Sequence, residues 1–108
     1  MNSLLSNEHP ILLLPMLASK IGLNEAIFLQ QLHYWTQRSN HLHEGHIWVY
    51  NSYEKWQLQF PFWTVSTIQD IVSNLESKNL IVVEDYYRFK LNDRKWYRVN
   101  YEVLEEFR

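Results

Sequence analysis

NSYEKWQLQFPFWTVSTIQDIVSNLESKNL, Asn51 to Leu80, is the stretch that decides the fold. Asn51 or Ser52 can cap a helix in which Tyr53, Trp56 and Phe60 face inward while Glu54 and Lys55 face water. Pro61 disfavours a helical conformation at the residue before it, so this helix stops at Phe60. Phe62 and Trp63 make a turn. Thr64 or Ser66 then caps a second helix running to about Lys78. Its Ile68, Ile71, Val72 and Leu75 form an apolar stripe roughly 100° wide. Asn79 can take the left-handed conformation that ends it. Two helices joined so tightly, Tyr53 to Lys78, read as a helix-turn-helix.

Downstream, Leu80 to Val83 reads as a strand and Lys95 to Asn100 as its antiparallel partner, with Asp85 to Arg94 as the loop between them. Tyr101 to Phe107 closes the chain with a short helix. Upstream, Ile47 to Tyr50 reads as a strand that completes a three-stranded sheet, preceded by a polar loop, Ser39 to Gly45. A longer helix runs from Glu25 to about Arg38, capped by Asn24, with Phe28, Leu32 and Trp35 on one stripe. Before it, Pro15 suits the first turn of a helix that Gly22 ends in a left-handed conformation. Ile11 to Leu14 is a short strand or the start of that helix. Met1 to Pro10 reads as a flexible polar arm, leaving residues 11–108 as a single domain. The expected fold class is α+β and mostly helical: a winged helix-turn-helix with a small antiparallel sheet.

With 108 residues, 46 % hydrophobic and 16 % aromatic, the chain suffices for one core and not for two. It has no Cys, which excludes a disulfide scaffold and a thiolate zinc finger. No signal peptide or membrane span is legible, so a cytoplasmic location without membrane contact is expected. With only two Gly there is no material for a phosphate-cradling loop, and no nucleophile or metalloprotease motif appears, so no enzyme activity and no cofactor are expected. His41, His43 and His46 flank Glu44 at a spacing that could meet at a metal, but no second ligand cluster stands out, and no metal is expected.

The net charge of −2 argues against strong autonomous DNA binding, so the distribution of charge matters. Ser66, Thr67, Gln69, Ser73 and Asn74 on the second helix of the motif can bond phosphates and base edges. Asp70 sits among them, and no Arg does. Arg88, Lys90, Arg94, Lys95 and Arg98 cluster in the hairpin among Tyr86, Tyr87, Phe89, Trp96 and Tyr97, a pattern that can grip a backbone. A hairpin with one aromatic face in the core and one charged face in water explains the same alternation. The 25–38 helix is apolar over more of its circumference than one contact needs. Its Ile27 and Tyr34 either pack under the terminal helix or form a homodimer seam.

Several runs resemble one family. Ile21-Gly22-Leu23-Asn24-Glu25-Ala26-Ile27 and Leu29-Gln30-Gln31-Leu32-His33-Tyr34-Trp35 are similar to the N-terminal domain of phage and mobile-element replication proteins of Gram-positive bacteria, the replisome-organizer or DnaD-like type. The resemblance continues through Gly45 to Asn51, Trp56, Phe60-Pro61-Phe62-Trp63, Thr67-Ile68, Leu75-Glu76, Leu80-Ile81 and Lys95-Trp96-Tyr97-Arg98. It spans roughly Ile11 to Tyr101. It implies a winged-helix fold, no cofactor, and a role in starting replication through origin binding or assembly of partner proteins; the expected partners are duplex DNA, bound weakly, and replication proteins. Two departures stand out. Gln69 and Asp70 occupy positions after Thr-Ile that are often basic, and the second helical domain such proteins often carry is absent. The alternative reading is a protein-interaction or dimerisation module of the same fold with little DNA binding of its own.

Overall fold

The structure, a computed structural model, describes residues 13–85 and 94–107. The expected arm over residues 1–10 and most of the hairpin loop lie outside the described residues.

The first two helices share one glycine. Helix α1, Pro15–Ile21, starts with proline in its first turn and ends at Gly22; α2, Leu23–Thr36, starts immediately after. Gly22 therefore replaces Asn24 as the residue before the long helix, and its carbonyl accepts from the Ala26 N–H at 2.9 Å. Its φ of 107° and ψ of 147° interrupt the helical path for a single residue, so Asn24 falls inside the first turn of the next helix. The conformation is extended with positive φ, essentially confined to glycine, and is not the expected left-handed helical one. Ala26, Phe28, Leu29 and Leu32 of α2 are buried. Trp35, expected on the same stripe, is partly exposed, and its indole N–H donates to Gln59 Oε1 at 2.7 Å.

The expected loop after α2 holds a strand. Strand β1, His41–His43, pairs with β2, His46–Ser52, in the register His43↔His46. The two connecting residues, Glu44 and Gly45, have φ of 52° and 82°. Positive φ at both central positions suits a tight hairpin, because its twist matches that of the strands it joins.

The helix-turn-helix is present as expected. Helix α3, Tyr53–Gln59, is capped by the Ser52 hydroxyl, which accepts from the Lys55 N–H at 3.2 Å. Helix α4, Val65–Ser77, is capped by Thr64, whose Oγ1 accepts from the Thr67 N–H at 3.1 Å. At its end Asn79 has φ 59°, and the Leu80 and Asn79 N–H groups bond back to the carbonyls of Leu75 and Glu76. Leu75 and Leu80 are both fully buried, supplying the apolar contact that accompanies this terminator.

Strands β3, Ile81–Asp85, and β4, Arg94–Val99, follow, then α5, Tyr101–Glu105. The sheet has four antiparallel strands in the order β1-β2-β4-β3. The protein is α+β, with a helix-turn-helix between central strand β2 and edge strand β3 of a small sheet and a winged-helix arrangement of helices, turn and hairpin. The core centres on aromatic rings. Phe28 lies 4.8 Å from Trp56, and Tyr97 meets Trp56 edge-on at 5.6 Å. Phe60 and Trp63 pack 4.7 Å apart beside them. Such tilted and edge-to-face geometries suit ring quadrupoles.

Candidate nucleic-acid interface

The apolar stripe of α4 is buried, so its opposite face must point outward. Ser66, Gln69, Asp70, Ser73 and Asn74 are exposed there, and Thr67 is half-buried. Two of the expected DNA contacts are already engaged within the chain. Thr67 takes part in the helix cap through its N–H, and its hydroxyl oxygen lies 3.0 Å from that of Thr64. Asn74 Nδ2 donates to Glu25 Oε2 on α2 at 3.1 Å. The cation nearest this helix, Lys78, turns back toward the Ile21 carbonyl at the end of α1, 3.5 Å away. The outer face of α4 thus carries hydroxyls and amides together with Asp70, and one flank adjoins a second carboxylate.

Strand alternation divides the cations of the hairpin between two faces. Tyr97 and Val99 point into the core. Lys95, two residues from Tyr97, shares their face; its ammonium lies 3.7 Å from Asp85 Oδ1 and 5.6 Å from the centroid of the Tyr53 ring. An ion pair this exposed contributes little stability, about 0–1 kcal/mol. It does offset the charge that Lys95 would bring to a phosphate. Trp96 and Arg98 point the other way. The Arg98 guanidinium stands 5.5 Å over the Trp48 ring. Each face of β4 therefore holds an aromatic ring and a cation, so the expected split into an aromatic face and a charged face is not what forms. Arg94 is the first residue of β4, paired with Ser52. Its backbone brings the base of the wing beside the cap of α3. Arg88 and Lys90 lie outside the described residues.

Of the residues expected at a dimer seam, Ile27 is half-buried and packs against the core of its own chain. Tyr34 is half-buried too. Arg38 stacks over its ring at 3.7 Å, and Trp35 meets it edge-on at 5.0 Å. An apolar groove of about 490 Å³ lies elsewhere on the same helices, among Leu14, Met16, Leu17, Leu29, Val99 and Phe107.

Sequence reasoning missed the outer face of the sheet. The register sets His41 beside Trp48, Tyr50 beside Trp96, and Trp96 beside Glu84. His41 and Tyr50 each approach the Trp96 ring at 5.0 Å. The signal was the period-2 alternation in Trp48-Val49-Tyr50 and Trp96-Tyr97-Arg98, which sends Trp48, Tyr50, Trp96 and Arg98 to one side. Among the described residues no group of three His, Asp or Glu side chains converges as a metal site would require. No helix among them is long and apolar enough to cross a membrane. Compared with known proteins, the chain matches no family model, no curated relative and no solved structure.

Proposed function

We propose that this is a winged-helix DNA-binding domain of a phage or mobile-element replication protein, one that binds duplex weakly. The observation that carries the reading is the helix-turn-helix clamped at both ends into a sheet whose hairpin carries the chain's main cluster of cations. The resemblance through Ile21–Trp35, Gly45–Asn51 and Phe60–Trp63 supports the replication role. Ser66, Gln69 and Ser73 are the groups that α4 offers to a major groove, with Thr67 and Asn74 exchanging their present bonds. Arg88, Lys90, Arg94 and Lys95 hold phosphate. No catalytic step is proposed.

Fluorescence anisotropy of a labelled duplex at low and moderate salt tests it. Affinity should fall with salt with a log–log slope of about −0.9 for each phosphate neutralised. A variant with Arg88, Lys90, Arg94 and Lys95 all changed to Gln should lose most of that slope. Absence of binding at low salt would refute the reading.

A second reading, assembly of two copies of this chain, is favoured by one observation. The groove between α1, α2 and the end of the chain is apolar and flanked by exposed Leu14 and Met16. Sedimentation equilibrium of the wild type and of Met16→Glu tests it. A dimer that the substitution dissociates supports assembly, and a strict monomer excludes it.

A further inference from the structure

The turn of the helix-turn-helix carries an aromatic ring that the core does not use. Phe60 is fully buried, Trp63 is buried beside it, and Phe62 between them is 60 % exposed. The turn is held from both sides. The Trp63 N–H donates to the Phe60 carbonyl at 3.0 Å, and Gln57 Nε2 donates to the Trp63 carbonyl at 3.1 Å. The Phe62 ring meets Trp63 edge-on at 5.0 Å and Phe60 edge-on at 6.2 Å. Those contacts hold the ring and still leave most of the residue open to solvent. Pro61, Thr64 and Ser66 are exposed around it in the chain, and Thr64 caps α4. The surroundings are free of charge: residues 56–69 contain no Asp, Glu, Lys, Arg or His.

A recognition helix meets the major groove with its N-terminal residues. For α4 that is the end beginning at Val65, directly after the turn that presents Phe62. An uncharged end has no cation with which to hold phosphate, which is the task proposed for the hairpin. Its hydroxyls and amides, on Ser66 and Gln69, suit the donors and acceptors of base edges. A projecting phenyl ring suits the apolar group that those edges present in the major groove, the C5-methyl of thymine. Contact between ring and methyl removes apolar surface of both from water, which favours it without any charge.

We propose that Phe62 is a specificity residue that packs against thymine methyl groups, so that the domain prefers thymine to the same base without its methyl. This preference rests on the DNA-binding reading and deepens it. The cations of the hairpin hold phosphate whatever the sequence, and Phe62 adds a choice among bases.

The test uses the full chain and two labelled duplexes of one A·T-rich sequence, the first made with thymine and the second with deoxyuridine throughout. Anisotropy titrations at low salt give both affinities. The wild type should bind the thymine duplex roughly two- to fivefold more tightly, the factor that loss of one methyl from an apolar contact produces. Phe62→Ala should bind both duplexes alike, at the affinity of the wild type for the uracil duplex. Phe62→Leu, which keeps an apolar side chain, should retain part of the preference. Neither substitution should alter the dependence on salt, because no phosphate contact is lost. Circular dichroism should show both variants folded, since the side chain they change is largely exposed. Equal affinity of the wild type for the two duplexes, which needs no variant to measure, would overturn the proposal and leave the DNA-binding reading standing. A thymine preference that survives in Phe62→Ala would do the same, because duplex shape and not the ring would then carry it. Weaker binding of Phe62→Ala to both duplexes with a reduced salt slope would make Phe62 a support of the turn, and would also overturn it. Absence of binding to either duplex would overturn this proposal and the DNA-binding reading together.

Discussion

Asn74 on α4 donates its amide to the carboxylate of Glu25 on α2 at 3.1 Å, although the two lie 49 residues apart. A carboxylate is thereby held at the flank of the helix face proposed to meet DNA, where it would repel phosphate. Glu25→Gln keeps an acceptor for Asn74 and removes the charge. This variant should bind duplex more tightly, by roughly two- to fivefold at low salt, with the gain shrinking as salt screens it. Anisotropy titrations at two salt concentrations read the difference. An unchanged affinity would place this end of α4 away from the duplex.

The junction at Gly22 depends on a conformation that side chains rarely adopt. A Cβ there would also meet the Glu25 carboxylate. That carboxylate can swing aside, but only by weakening its bond to Asn74, and the backbone strain remains. Gly22→Ala should cost about 1–3 kcal/mol in urea denaturation.

Two residues of α3 should behave in opposite ways. Trp56 is fully buried, in contact with Phe28, Phe60 and Tyr97. Trp56→Ala should cost about 3–5 kcal/mol, a large part of the stability of an ordinary domain. Leu58, two residues on, is 81 % exposed. Leu58→Ala should change stability by no more than about 0.5 kcal/mol. Thermal melts followed by circular dichroism would separate them.

The Tyr101 phenol lies 2.8 Å from His33 Nδ1. Burial raises its pKa above the ordinary 10.0, opposed in part by a hydrogen bond with Thr36. The unfolded chain therefore loses this proton first. Stability is unaffected well below pH 10 and declines as pH rises through about 10 toward the folded value. Tyr101→Phe should flatten that part of the profile in denaturation series from about pH 9 to 11.

The helix-turn-helix was legible because its signals are local: Ser52 and Thr64 as caps, Pro61 as a break, Asn79 as a terminator, and an apolar stripe with helical spacing. Strand β1 was not, because His41, Leu42 and His43 are all exposed and show no apolar alternation. Its turn uses Glu44-Gly45 in place of the stronger Asn-Gly or Asp-Gly pair. The outer face of α4 followed from its buried stripe. Its acidic flank did not, since nothing local links Asn74 to Glu25. The faces of the hairpin depended on register. A shift of one residue exchanges Lys95 and Trp96, and pairing with β2 and β3 fixes which one looks inward.

Ser52 is at once the last rung of β2, opposite Arg94, and the residue that caps α3. Separating the central strands would uncap the helix in the same event, and completing the helix cap sets the final rung. Among the described residues, the sheet and the helix-turn-helix are thus joined through a residue that belongs to both. The domain should melt as one cooperative unit, and a torque applied through the wing would turn α4 with it.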